Sequence, residues 1–463
     1  MPMRNNRLSN KTLGLIFALA WPTMLEQMLQ TAVQYIDTAM VGALGTQATA
    51  AVGATGTVNW LVSSTISAIG VGFLSYIARA RGEGDHQRAR MAAAQAVLAA
   101  VFCGIIFTIL PLSLSKMVPQ WMQVEPGTQE LAGRYFFILY SPMLFRSMSI
   151  ILGTVLRASG DSKTPMRAGI AVNVVNVVLN YFLIYPSREI LILGYSIWLP
   201  GADFGVLGAA VASAISFVVG GIWILIALWR HSEISPRGQR FKPDKRILGQ
   251  CMRVAFPNAL QRFGTSFGYV VFASMINSVG DAATAAHTIA NTVESAFYIP
   301  AYGMQTAAAT LAGNAYGARD CAGLKKLGKT ILAVEVALMT CTGALLYIFA
   351  PHMVNLFSDS AQVILLGTTV LRMVALSEPF YGVSIIVEGM LQGMGRTALP
   401  FVINLFGMWA VRIAGTLIFV KILGYGLVAA WGCMIAHNLV LFAIYFGYYL
   451  SGKWNPMKNM EKY

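Results

Sequence analysis

The chain runs to 463 residues, of which 56% are hydrophobic and only 11% charged, with a mean hydropathy of +0.62. A soluble domain carries about a quarter charged residues, so these values exclude one and describe an integral membrane protein. The net charge of +14 would suit a polyanionic partner only if the basic residues formed a patch, and their placement shows that they do not.

About twelve apolar runs of span length recur, near 13–40, 48–78, 91–115, 133–157, 165–186, 204–229, 249–275, 284–312, 327–350, 363–392, 399–421 and 425–450. Each can cross a bilayer as a helix. The first carries Thr23, Gln27, Gln30, Gln34 and Asp37 at spacings of four, three, four and three, so the five side chains share one helical face. An ionised carboxylate facing hydrocarbon costs several kcal/mol or more, so this stripe must look inward. Asp37 is therefore the leading functional candidate, and Glu26 lies three turns earlier, nearly on its face.

Polar stripes return in later runs: Asn173, Asn176 and Asn180 in the fifth, Asn258, Gln261, Thr265 and Tyr269 in the seventh, and Thr284, His287, Asn291, Glu294, Tyr298 and Tyr302 in the eighth. Neutral side chains of this kind often act only as hydrogen-bonding glue between helices. Glu294 differs, because it stands about ten residues into its span, far from an easy snorkelling depth. Arg146, Arg253, Arg262, Glu335, Arg372, Glu378, Glu388 and Arg412 also fall inside predicted spans. Several are near enough to a span end to snorkel, and none is assigned a role.

With these spans, the N-terminus, the even-numbered connections and the C-terminus hold 24 Lys or Arg, against 4 in the odd-numbered connections. That asymmetry places both termini in the cytoplasm and gives the basic balance a topological meaning, with no nucleic-acid partner. The chain also resembles itself at an offset of 235. Pro22 matches Pro257, and GTQATAAVGATGTV from Gly45 matches GDAATAAHTIANTV from Gly280 at seven of fourteen positions. Gly82 and Gly317, Asp85 and Asp320, Leu156 and Leu391, Gly160 and Gly395, and Pro165 and Pro400 continue the series. The offset falls to 221 at GVLGAA from Gly205 against GLVAAW from Gly426, because the segment from Pro186 to Phe204 is longer than its partner. This is a duplication.

Six spans per half is an even number, so the repeats are parallel, as in two-lobed secondary transporters. The expected fold is an all-α membrane protein of about twelve transmembrane helices in two parallel-repeat six-helix lobes. The N-terminal lobe is placed at 1–229, a cytoplasmic linker at 230–248 and the C-terminal lobe with a short tail at 249–463.

No HExxH, GxSxG, GxxxxGK[ST] or CxxC constellation is present, and five histidines and five cysteines show no ligand or pairing spacing. The reading is not an enzyme and no cofactor. The polar N-terminus precedes an apolar run too long for a signal-peptide core and is read as retained. With no nucleotide-binding module in the spacing, transport is expected to draw on an ion gradient.

Taken together, YIDTAMVG at Tyr35 to Gly42, RARGEGDHQRAR with its echo NAYGARD, LRASGDSKTP with its echo LQGMGRTALP, NVVNVVLNYFLIY from Asn173, and AAHTIANTVESAFYIP from Ala285 resemble the multidrug and toxic compound extrusion (MATE) transporters over essentially the whole chain. The resemblance implies two six-helix lobes facing a central cavity and export of organic, often cationic or amphipathic compounds in exchange for Na⁺ or H⁺. It implies ion coupling at Asp37, with Asn176, Asn180 and Ser213 as polar positions of the N-terminal cation site and Asp37 as the ligand of any Na⁺. Glu294 matches an eighth-helix glutamate of many members. Asn180 and Tyr381 stand where some members have aspartates, which points to a single carboxylate in the N-terminal ion site and leaves H⁺ against Na⁺ open.

The resulting expectation is a monomeric, multi-pass, cation-coupled antiporter of the inner or plasma membrane. Its partners are small organic substrates, a monovalent cation and the lipid bilayer, with Gln34, Glu294, Asn291, Tyr298 and Gln261 as substrate-binding residues. The alternative is a lipid-linked precursor flippase of the same superfamily fold, whose cavity would be strongly basic.

Overall fold

The computed structural model describes residues 3–122, 124–192 and 195–457. Lys458 and Lys462 of the basic tail, and the first two residues, lie outside the described residues. Helix α1 spans Met3–Gly42, α2 Thr46–Gly82, α3 His86–Leu114, the single turn α4 Val118–Trp121, α5 Pro126–Tyr140, α6 Met143–Ala158, α7 Lys163–Ile184 and α8 Gly205–Arg230. In the second half α9 spans Lys245–Asn277, α10 Asp281–Gly317, α11 Cys321–Asn355, α12 Ala361–Ala375, α13 Glu378–Gly393, α14 Ala398–Phe406, α15 Ala414–Thr416 and α16 Leu427–Leu450. Between α14 and α16 the backbone is π-helical over Gly407–Ile413 and Leu417–Ile422.

Eight of these stretches are long and apolar enough to cross a membrane, and two bent pairs, α5 with α6 and α12 with α13, each make one more. Helices α9 and α10 are as long, at 33 and 37 residues, and miss the same apolarity because they carry the polar stripes. With them the count is twelve, six in each half.

The duplication is visible in the backbone. The first bent pair breaks between Tyr140 and Met143 at 49° and the second between Ala375 and Glu378 at 53°, the same offset of 235 that aligns the halves. Proline sits at each break, Pro142 before α6 and Pro379 in the first turn of α13. There its missing N–H is harmless to the helix that follows and denies a continuous ladder with the helix before. The change of offset also has a cause. An antiparallel hairpin, β1 (Pro186–Ile192) with β2 (Tyr195–Ala202), joins α7 to α8, whereas the equivalent connection in the second half is the short bend before α16.

The chain forms two compact units. One comprises residues 25–73 and 86–248; the other comprises 249–463 together with 1–24 and 74–85. The first part of α1 and the last part of α2 thus pack with the C-terminal repeat, and α1 changes unit two residues after Pro22. Small residues permit close backbone contacts in the C-terminal unit. A Cβ on Gly82 would strike the backbone of Asn314, and a Cβ on Gly317 would strike the backbone of Arg79. Arg79 and Asn314 are themselves repeat partners, so α2 and α10 meet through a reciprocal contact, the kind that two-fold-like pairs make.

Because both glycines meet backbone that cannot rotate away, Gly82→Leu or Gly317→Leu should destabilise the protein by about 1–3 kcal/mol or more. Gly53→Ala, where a Cβ meets nothing, should be neutral. Thermal unfolding of the purified variants in nanodiscs checks this, and an unchanged midpoint for Gly82→Leu would contradict the close contact.

Candidate functional site

In the N-terminal unit three helices converge on one carboxylate. Helix α1 supplies Asp37, α7 supplies Asn176 and Asn180 four residues apart on one face, and α8 supplies Ser213. Asn180 Nδ2 donates to Asp37 Oδ1 at 2.5 Å, and Asn176 lies 3.1 Å from both Asn180 and Ser213 Oγ. Turning the Asn176 amide over lets its Nδ2 donate to Asp37 Oδ1 and Oδ2 at 2.9 and 3.2 Å while its Oδ1 accepts from the Ser213 hydroxyl. Either orientation leaves the quartet in one chain of contacts. Tyr185 OH donates to the Met40 carbonyl at 3.2 Å and so ties the end of α7 to the end of α1.

Asn180 is fully buried, and its Oδ1 makes no hydrogen bond among the described residues. An orphaned buried acceptor costs about 1–3 kcal/mol. Here it stands beside a carboxylate that no Lys or Arg neutralises in any ion pair among the described residues. One negative charge, two amides that can present oxygen or nitrogen, and a hydroxyl are chemically suited to hold a proton or a small hard cation.

Lower on α1, Glu26 is not part of this site. Arg157 Nη2 on α6 donates to both of its carboxylate oxygens, at 2.7 and 2.6 Å, in a nearly buried ion pair. Gly169 of α7 faces it, where a Cβ would sit 3.1 Å from Glu26 Cγ.

The C-terminal unit holds the remaining candidates. Glu294 is 7% exposed, and two further carboxylates are buried in the same unit, Glu378 at 2% and Glu335 at 0%. Both oxygens of Glu335 and Oε2 of Glu378 make no hydrogen bond among the described residues. Both residues are in-span charges to which the sequence assigned no role. Tyr298 packs edge-on against Tyr302 and Tyr381, whose hydroxyls are 3.2 Å apart. Asn291 and, in the other unit, Gln34 are exposed, open to a ligand but without a built contact. Gln261 is engaged elsewhere: its Nε2 donates to Glu388 Oε1 at 2.8 Å, as does Gln392 Nε2, and Asn404 Nδ2 reaches Glu388 Oε2 at 3.3 Å. Asn404 in turn donates to Tyr445 OH at 2.8 Å.

Sequence reasoning gave Glu388 no role, yet the repeat contains the signal. At the offset of 235, Gln261 falls on Glu26, Gln392 on Arg157 and Asn404 on Gly169. The same nook holds an ion pair in one half and, in the other, a carboxylate on α13 cradled by three amides.

The profile of the MatE family matches residues 22–182 and 257–418, two segments that begin 235 residues apart. A relative described as a probable multidrug resistance protein NorM, from Thermotoga maritima, is 27% identical over 439 residues, with 95% of this chain and 92% of its own covered. The multidrug export protein MepA of Staphylococcus aureus is 23% identical, covering 81% of this chain and 79% of its own. Among solved structures, a MOP superfamily transporter from Pyrococcus furiosus, described as having a binding pocket of reverse polarity that suggests a different function, is 26% identical with a TM-score of 0.84 over 94% of both chains. A multidrug resistance MATE family transporter in an outward-facing conformation is 25% identical with a TM-score of 0.86, again over 94% of both.

Removing one partner of the Glu26 and Arg157 pair strands a buried charge, so Glu26→Gln and Arg157→Met should each cost about 3–5 kcal/mol. The double variant should cost clearly less than the sum. Thermal midpoints of the three variants check this, and additive losses would show that the pair is not coupled.

Proposed function

Because the chain belongs to the MatE family, we propose that it is a cation-coupled antiporter that exports organic compounds, cationic or amphipathic ones among them, across the inner membrane, with both termini in the cytoplasm and acting as a monomer. Multidrug efflux is the reading supported by relatives described as multidrug resistance and export proteins. The observation that carries the coupling is the Asp37 carboxylate, met by the Asn180 amide at 2.5 Å beside an orphaned Asn180 oxygen.

In this reading Asp37 is the exchange group, and Asn176, Asn180 and Ser213 adjust to whichever cation it holds. With H⁺, the proton neutralises the carboxylate, and the amides keep their mutual hydrogen bonds. With Na⁺, Asp37 stays charged and the amide and hydroxyl oxygens turn towards the ion, as a hard cation requires several oxygens. Either change alters what α1 gains from packing against α7 and α8. Pro22 lies before this segment of α1 and leaves the Ala18 carbonyl without its helical donor, so residues 25–42 can re-pack as a unit and release a bound drug. Glu294 is assigned the attraction of cationic substrates and Tyr298 an aromatic contact, with Gln34 and Asn291 as accessible polar contacts. Gln261 is assigned instead to holding Glu388.

Asp37→Asn preserves the size and most hydrogen bonds of the site and removes its charge. The variant should fold and insert, and its ion-coupled efflux under an imposed Na⁺ or H⁺ gradient in proteoliposomes should be abolished, falling to the level of a vesicle without coupled exchange. Undiminished gradient-driven efflux would end the assignment of Asp37.

A further inference from the structure

The repeat allows the cation site of one half to be compared with its counterpart in the other. At the offset of 235 Asp37 falls on Phe272 of α9, and at the offset of 221 Ser213 falls on Met434 of α16. Asn176 falls on Val411 and Asn180 on Gly415 at 235, and they fall on Arg412 and Thr416 at the 236 by which the two family-matched segments are separated at their ends. The π-helical Gly407–Ile413 stretch accommodates such a one-residue slip, since a π-turn is an α-turn with a residue inserted. With that slip the counterpart has lost the carboxylate, both amides and the Ser213 hydroxyl, and the buried Thr416 hydroxyl at the Asn180 position donates to the Arg412 carbonyl.

What fills it is a cation. The Arg412 guanidinium lies 4.1 Å from the ring centroid of Phe272 and 4.7 Å from that of Tyr269, and its Nη2 sits 2.7 Å from Met434 Sδ. Two of the residues that replace the quartet are thus the ones that touch it. Arg412 is 2% exposed, its Nε makes no hydrogen bond, and no carboxylate pairs with it among the described residues. Its charge acts on Glu294 of α10, with no ion pair between the two among the described residues. A guanidinium buried without an anion survives on aromatic faces and a polarizable sulfur, which suit a large, weakly hydrated cation and not a hard one.

We propose that the C-terminal half carries the repeat of the cation site with Arg412 built in as its resident cation. That pocket exchanges no inorganic ion, and removing the Arg412 side chain opens it to cations of the guanidinium class. The proposal rests on reading the Asp37 quartet as a cation site.

The test is thermal unfolding of the purified protein in nanodiscs with guanidinium chloride at up to ~20 mM, far below denaturing concentrations, and with choline chloride at equal ionic strength. For Arg412→Ala, guanidinium should raise the midpoint saturably by a few degrees, as a ligand of the folded state does. Choline should not, and wild type should respond to neither. No saturable shift for Arg412→Ala, or an equal shift for wild type, would overturn the proposal. Where Arg412→Ala does not accumulate folded, Arg412→Lys and Arg412→Met decide. A resident cation predicts that Lys accumulates near the wild-type level and Met about tenfold less, on the scale of a desolvated cation–π contact. Met equal to or better than Lys would mean that Arg412 only fills space, since apolar replacements of buried charges are commonly neutral or stabilising. Neither readout involves Asp37, so normal coupled efflux by Asp37→Asn would end the reading of the N-terminal site, whereas failed guanidinium binding would end this one alone.

Discussion

A carboxylate inside a spanning helix is the constraint around which the N-terminal unit is built. Left ionised and unpaired, Asp37 would cost several kcal/mol or more. The protein supplies two amides of α7, one helical turn apart, and no arginine in an ion pair with it among the described residues. That choice matters physically. A guanidinium would neutralise Asp37 permanently and leave nothing to exchange, whereas amides stabilise the charge while keeping the site open to a small cation. The same protein does pair a carboxylate with arginine elsewhere, at Glu26 and Arg157, eleven residues earlier on the same helix. The difference between those two carboxylates separates a group that holds the helix from a group that can change state.

The duplication makes the two halves a record of which features were kept. The bends at residues 141–142 and 376–377 agree to within a few degrees, and the reciprocal glycine contacts at Gly82 and Gly317 persist. The polar chemistry diverged. Where the first half has Asp37 and Ser213, the second has Phe272 and Met434 around Arg412. Where the first half has a buried ion pair, the second has Glu388 among Gln261, Gln392 and Asn404. Backbone geometry is set by prolines, glycines and apolar packing, which tolerate little change. Side chains facing an internal polar nook were exchanged while the backbone around them was kept.

Much of this was legible beforehand. Hydropathy located all twelve spans, because a membrane helix must satisfy its backbone internally and expose apolar side chains. The period of the stripe ending at Asp37 pointed it inward, and the resemblance brought Asn176, Asn180 and Ser213 to it, three side chains that the structure does bring together. The breaks in the fourth and tenth spans escaped notice, since hydropathy averages across them and Pro142 and Pro379 look like other membrane prolines. Glu335, Glu378 and Arg412 were among the in-span charges to which the sequence assigned no role. Distance from a span end measures the reach of a side chain and says nothing about which neighbours enclose it. The contact of Gln261 escaped for a related reason: its helical face was legible, but its partner Glu388 is 127 residues away in sequence and becomes visible only when the repeat is used as a guide to contacts.

The most direct measurement is substrate affinity under a double titration of the purified protein, with Na⁺ varied at fixed pH and pH varied at fixed Na⁺. If ion and drug compete through Asp37, bound cation must weaken drug binding by the same factor by which drug weakens cation binding. Wild-type affinity should then fall with rising Na⁺ or with falling pH, and Asp37→Asn should lose that dependence while still binding drug. A wild-type affinity indifferent to both ions, or an Asp37→Asn variant that keeps the wild-type dependence, would contradict coupling through this carboxylate.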